Sequence, residues 1–326
     1  MSALGTTTDV ARRPFGRRRA RFGDVLLQGA AGVAALGAAV LLGLIAWQLV
    51  RGARLSLSTF GLGFVGDVGW DPVHLHFGAA TFIYGTAVTS FGALLIATPL
   101  ALGIALFVSE LSPSWLRGPV TALVETLAAV PSVIIGLWGI LVLAPLLRDH
   151  VEPELHSVLG FIPLFGPPGS YGSNVFTAIV VLTIMIVPII SSIARELFLG
   201  VPHELKEGAL ALGATRWEMV RGVVLPYTRG GVAAAMILGL GRALGEAIAV
   251  AQVIGAFNNS IGKNLFANGN TLGAWIALQF LNAASALEKS SLIYLGLILL
   301  VFSLVVNLVA QAIVRRSARW LGGTSG

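Results

Sequence analysis

ELKEGALALGATRWEMVRGVVLP, residues 204–226, is the one long polar interruption between two strongly apolar segments of the chain. Its spacing predicts two short helices folded against each other. Pro202 suits the first position of a helix, where its missing N–H is not needed, and Glu204, Lys206 and Glu207 make that helix amphipathic against Leu205, Ala209 and Leu212. Gly213 ends it. Thr215 and Glu218 stand at capping-box spacing, so a second helix begins at once and carries Trp217, Val220 and Val224 on one face as far as Pro226. Taken alone, residues 202–226 form a surface helical hairpin.

The composition shows what the hairpin interrupts. The 326 residues are 56% hydrophobic and 11% charged, with a mean hydropathy of +0.87, whereas soluble domains carry about 25% charge. The chain therefore reads as a polytopic, all-α membrane protein. Its formal net charge of +6 would suggest nucleic acid in a soluble chain. Here the basic residues cluster at the borders of apolar segments and act as topology signals, so no nucleic-acid partner is expected. The absence of cysteine excludes disulfides, thiolate metal sites, iron–sulfur clusters and cysteine nucleophiles.

Residues 1–24 form a polar arm in which Arg12, Arg13, Arg17, Arg18, Arg19 and Arg21 precede an apolar run over residues 25–50. A secretory signal has a shorter apolar core and a small-residue cleavage site, so the run is a retained first span with the arm held in the cytoplasm. Residues 51–80, with Gly61, Gly63, Gly66, Asp67, Trp70, Asp71 and Pro72, read as an external loop. A second span covers residues 81–108, and a short inside loop with Arg117 follows. The third span, residues 120–147, is expected to kink at Pro131 and Ser132, because a proline frees a carbonyl.

Residues 148–173 read as a rigid outside loop and residues 174–193 as span four, leading through Arg195 into the hairpin. Span five covers residues 230–257. The apolar piece at residues 272–281 is too short to cross and predicts a re-entrant or interfacial helix. Span six, residues 292–314, ends in Arg315, Arg316 and Arg319. This gives six spans in one membrane domain, residues 25–314, with the 1–24 arm and the 315–326 tail both cytoplasmic. Lys and Arg favour the inside by roughly three to one in that topology.

Two charged residues stand within span five, in GLGRALGEAIAV, residues 239–250. In a helix over residues 230–257, Arg242 lies near mid-membrane, where burial costs at least about 2.5–3.5 kcal/mol, so it must face protein or a water-filled cavity. Glu246, one turn on, neutralises and orients the guanidinium. The pair is either a salt bridge that locks helix packing or an anion-selective element in a translocation path. Gly241 and Gly245 form a GxxxG pair on the neighbouring face, a spacing that allows close helix contact. Glu125, just before Pro131 and Ser132, is the other intramembrane acid; it either pairs with an Arg or polar backbone of a neighbouring span or sits near the cytoplasmic border, with a structural or a transport role.

Two spacings fall short of known chemistry. His203-Glu204-Leu205-Lys206-Glu207 has Glu207 where HExxH needs its second histidine, so no zinc pair forms. Gly262-Lys263-Asn264 lacks the earlier glycine of a phosphate-binding loop, Phe257 standing in its place, and has Asn264 instead of Ser or Thr. No GxSxG elbow or histidine cluster occurs. No catalytic residue, metal or cofactor is expected.

Glu207, Gly208 and Ala209, then Gly213, then Val223, Leu225 and Pro226 resemble the cytoplasmic EAA loop of permease subunits in bacterial ABC importers, E-A-A-x3-G-x9-I-x-L-P. Gly208 replaces an Ala and Val223 an Ile. The resemblance implies that the first helix and turn, with Glu207, Gly208, Ala209 and Gly213, dock on an ATPase subunit and pass its movement to the membrane. Trp70-Asp71-Pro72, residues 77–110 from FGAATFIYG to FVSE, ETLAAVPSVIIGLWG from Glu125 and GRALGEAIAV from Gly241 are similar to the PstC type of permease, from phosphate importers. That similarity covers roughly residues 60–316; the N-terminal arm has no counterpart.

The resemblance implies a six-helix importer permease of the type I, MetI-like fold, multi-pass in the bacterial cytoplasmic membrane. It further implies a second permease subunit, two ATPase subunits that carry the hydrolysis, and an extracytoplasmic phosphate-binding protein. In that family the residues matching Arg242 and Glu246 are associated with phosphate passage. Two other readings stand beside it: a permease for sulfate, molybdate or tungstate, and a membrane scaffold whose hairpin only binds an ATPase.

Overall fold

The computed structural model describes residues 22–169, 171–256 and 261–322. Arg12, Arg13, Arg17, Arg18, Arg19, Arg21 and Phe257 lie outside them, as do the side chains of Arg315, Arg316 and Arg319. The chain divides into residues 1–48 and residues 49–326. The described part of the first unit, residues 22–48, lies entirely in helix α1, Phe22–Gly52, whose C-terminal end passes into the second. Six helical stretches among the described residues are long and apolar enough to cross a membrane: Leu26–Gly52, Ala80–Leu111, Ser132–Leu159, Val175–Leu199, Arg216–Leu244 and Ala286–Val314.

In the second unit, residues 51–80 are folded rather than a bare loop. Helices α2 (Arg54–Phe60) and α3 (Gly63–Gly66) lead into an antiparallel pair, β1 (Trp70–Asp71) and β2 (His76–Phe77), with Trp70 opposite Phe77. Aromatic packing explains why this segment is ordered. Phe64 stacks on Tyr294 at 4.6 Å, and Trp70 lies 4.7 Å from Phe77, within a buried cluster that also holds Phe82 and Leu292. Ser290 Oγ donates to the Gly52 carbonyl and accepts from Ser56 N–H, fixing α2 against the start of the last helix.

The second span is α4, Ala80–Leu106, extended by a π-turn, Phe107–Leu111. Its long partner is α9, Val175–Leu199, the two meeting in the main apolar core through Ala93, Ala97, Ile179 and Ile186. The third span differs from the expected one. Residues 114–129 form a separate helix, α5 (Ser114–Ala129), and Val130 is extended at ψ 127°, as the residue before a proline prefers. Pro131 then stands at the N-cap of α6, Ser132–Trp138, so Pro131 and Ser132 mark a full break rather than a kink. From Ser132 the helix continues through π-turns and the short pieces α7 (Ala144–Leu146) and α8 (Glu152–Leu159), taking in residues read from sequence as outside loop.

The hairpin consists of α10, His203–Ala211, and α11, Arg216–Met219. The second arm does not stop at Pro226. A π-turn, Val220–Val224, places the Leu225 N–H on the Val220 carbonyl, so the ladder is already widened where the proline ring arrives, and the helix runs on as α12, Leu225–Leu244. Arg216–Leu244 is therefore one helical stretch of 29 residues, about 40 Å at roughly 1.5 Å per residue. It is followed by α13 (Ile248–Val253), the short α14 (Leu272–Gln279) and α15 (Ala286–Gly322). Helix α14 has the length expected of the non-crossing piece, and its buried start is held where Thr86 Oγ1 accepts from the Leu272 N–H.

Candidate functional site

Arg242 and Glu246 occupy a helix break, not the middle of a helix. Helix α12 ends at Leu244 and α13 begins at Ile248, so Arg242 sits in the last turn of the first, where the exposed carbonyl ends favour a cation. Glu246 precedes the next helix, and its Oε1 accepts from the Ala249 N–H at 3.2 Å, satisfying one of the donors a helix start leaves open. Its Oε2 lies 3.3 Å from Arg242 Nη2. The two side chains differ sharply in exposure, 47% for Arg242 and 4% for Glu246. The cation faces out of the chain and the carboxylate is sealed behind it.

The break is held from the side by α6. A Cβ on Gly136 would meet Ala249 Cα at 2.8 Å and collide with the Gln252 amide, so only glycine lets α6 lie this close to the segment after Glu246. Sequence reasoning missed Gly136 and Gln252, since neither belongs to a spacing with its own chemistry. The GxxxG spacing of Gly241 and Gly245 allowed a close helix contact, which neither glycine makes. A Cβ on Gly241 would approach Asn307 of α15 only to 3.9 Å, an ordinary distance, and Gly245 caps α12. The glycines here mark the helix end rather than a close helix pair.

At the opposite end of Arg216–Leu244, the capping box is present in full: Thr215 Oγ1 accepts from Glu218 N–H, and Glu218 Oε2 accepts from Thr215 N–H at 2.8 Å. Gly213 links the two arms at φ +88°, a conformation that L side chains rarely adopt. Glu207 and Gly208 are exposed, Ala209 packs against the cluster of Phe198, Met219 and Val220, and a Cβ on Gly208 would meet open space. The amphipathic reading of α10 holds at Glu204, Glu207 and Ala209 and fails at Leu205, Lys206 and Leu212. Leu205, Leu210 and Leu212 are exposed, Leu212 at 91%, as is Trp217 in the second arm, while Lys206 is buried. Val220 and Val224 do face inward as expected.

Glu125 belongs to α5 and lies 3.7 Å from Arg195 Nη2, which also meets Glu196 at 2.8 Å; Arg195 Nη1 reaches Thr121 at 3.4 Å. Glu125 thus ties α5 to the last turns of α9, which lead into the hairpin, and its ion pair is with Arg195 rather than Arg242. Among the described residues no cluster of three or more His, Asp or Glu is placed to hold a metal. What Arg242 and Glu246 are suited to chemically is a fixed, oriented positive contact for an anion at broken helix ends, where irregular backbone is tolerated because protein or water covers it.

Comparison with known proteins adds three findings. The family described as "Binding-protein-dependent transport system inner membrane component" matches residues 97–319. Phosphate transport system permease protein PstC of Pasteurella multocida is 45% identical over 85% of this chain and 87% of its own, and that of Mesorhizobium japonicum is 44% identical over 92% of both. Among solved structures, a bacterial alginate ABC transporter in complex with an alginate pentasaccharide-bound periplasmic protein superposes with a TM-score of 0.59 at 18% identity, covering 90% of this chain and 96% of that one.

Proposed function

The chain belongs to the family of binding-protein-dependent transport system inner membrane components, and on that premise we propose that it is a permease subunit of a bacterial ABC importer that moves inorganic phosphate into the cell. It is a multi-pass inner-membrane protein with the importer-permease fold, and the hydrolysis of ATP belongs to a separate subunit. Its assembly includes a second permease subunit, two ATPase subunits on the cytoplasmic side and a phosphate-binding protein outside, with both termini of this chain cytoplasmic.

Within that assembly Arg242 and Glu246 contact or steer the ion. The observation that supports this is the asymmetry of the pair: an accessible guanidinium 3.3 Å from a sealed carboxylate, at a helix break. A dehydrating anion needs a preorganised positive contact, and the carboxylate behind it keeps that contact weak enough to release the ion. The hairpin residues Glu207, Gly208, Ala209 and Gly213 present the exposed apolar patch of Leu205, Leu210 and Leu212 to an ATPase. Uptake of labelled phosphate by the whole complex in proteoliposomes, with sulfate, molybdate and tungstate as competitors, tests the reading. Phosphate uptake that excess sulfate does not suppress is the expected result, and preferential uptake of another oxyanion is the opposing one.

A further inference from the structure

Lys206 is the residue of the hairpin that sits least comfortably with a surface helix. Its side chain and that of Glu110 are each 10% exposed, and Lys206 Nζ lies 2.6 Å from Glu110 Oε1. The same ammonium donates to the Phe198 carbonyl at 2.9 Å. Glu110 lies on the π-turn that ends α4, and Phe198 in the last turn of α9. A single ammonium therefore joins three segments: the first arm of the hairpin and the hairpin-side ends of both core helices.

The burial of this cation is itself informative. Two ions withdrawn from water to this extent add little net stability over apolar side chains of like size, whereas removing one partner leaves a costly unpaired charge. Directional contacts of this kind instead fix geometry, because an ammonium with two short acceptors resists sliding in a way that leucine packing does not. The second arm of the hairpin needs no such link. It is helically continuous with the stretch that ends near Arg242. The first arm has no such continuity: its backbone joins the rest through the turn at Gly213 and through residues 200–202, where the chain is non-helical.

We infer that Lys206 and Glu110 are positioning residues that carry movement of the hairpin's first arm into α4 and α9. This rests on the importer reading, since it needs an ATPase to move the arm. When the arm is displaced, the tie pulls the ends of both core helices with it, while the second arm displaces the helix that bears Arg242. The two routes then act on neighbouring helices, as α9 packs against both α4 and α12.

The test uses the whole complex in proteoliposomes, comparing wild type with the double variant Lys206→Met plus Glu110→Leu, which removes both charges and so leaves neither unpaired. Complex yield, ATP hydrolysis and phosphate uptake are measured on each preparation. The expected result is normal yield and continued hydrolysis, with phosphate moved per ATP reduced by about threefold or more, within the range by which altered contacts change coupling between sites. An unchanged ratio overturns the inference while leaving the importer reading intact. A double variant that fails to assemble assigns the pair to folding and also overturns it. No phosphate uptake in the wild-type complex overturns the importer reading, and the inference with it.

Discussion

The two ends of the Arg216–Leu244 stretch differ in what they leave uncovered: a cluster of leucines beside a buried lysine at one, a guanidinium before a sealed carboxylate at the other. At the hairpin end the exposed side chains include the apolar Leu205, Leu210, Leu212 and Trp217 beside the charged Glu204, Glu207, Arg216 and Glu218, and Lys206 is packed inside. At the other end the Arg242 guanidinium is exposed, with Ala243 and Leu244 packed inside and Leu238 and Ile248 exposed on either side. An apolar patch outside the membrane-crossing part calls for a protein partner to cover it. An exposed cation with its counter-ion sealed behind it calls for an anion. On the proposed reading, the hairpin at one end of this stretch faces a protein and Arg242 at the other faces an ion, so changes at the docking face and at Arg242 should fail in different ways.

The largest effect is expected at the ion-facing end. Arg242→Ala removes the positive contact, and phosphate uptake by the reconstituted complex should fall by more than about tenfold, given what a charge at such a site contributes. Complex yield, followed by co-purification, should stay near normal. At the protein-facing end, Gly213→Val forces a branched side chain into φ +88°, a strain of about 1–3 kcal/mol. Co-purification with the ATPase should drop several-fold while the subunit still inserts, and uptake should fall only in proportion to the complex lost. If Gly213→Val lowered uptake with full complex yield, the turn would act after docking, as Lys206 and Glu110 are inferred to do, rather than in docking itself.

A smaller effect of opposite sign is expected beside it. Gly208 is helical, exposed and surrounded by open space, so Gly208→Ala should stabilise α10 by up to about 1 kcal/mol, seen as a raised melting temperature with docking retained. The smallest effect lies away from both ends, at Asp71. Its Oδ1 accepts from the Val73 and His74 N–H groups and its Oδ2 meets His74 Nδ1 at 2.6 Å. The hydrogen bond from the His74 side chain, with backbone help, holds the carboxyl below its usual range. A depressed carboxyl contributes stability that is present above its unfolded pKa and is lost as pH falls through the folded one. The slight advantage of wild type over Asp71→Asn in thermal unfolding should therefore exist at neutral pH and vanish in acid.

Much of this architecture is legible in the sequence, and the parts that are not share a cause. The apolar runs identify six crossing helices, Thr215 and Glu218 announce the capping box, Gly213 the turn, and the lone Arg242 with Glu246 one turn on the candidate site. The facing of α10 is not legible. Its leucines repeat at helical spacing whether they face a core or a partner, and only the acceptors on Glu110 and Phe198, 96 and 8 residues away in sequence, draw Lys206 inward. Hydropathy likewise does not distinguish lipid from protein interior, which is why residues 120–130 read as part of span three although all but the last belong to α5. Pro226 misleads for a related reason: a π-turn just upstream absorbs it, and such a turn has no sequence mark of its own.

On the proposed reading, Arg242 and Glu246 act on the ion and do not merely lock packing. A buried pair whose work is packing is often replaced by apolar side chains without loss. The decisive measurement is phosphate uptake alongside complex yield for the double variant Arg242→Leu plus Glu246→Leu in proteoliposomes. The expected result is a complex recovered at normal yield with uptake near background. Uptake restored together with assembly would contradict it.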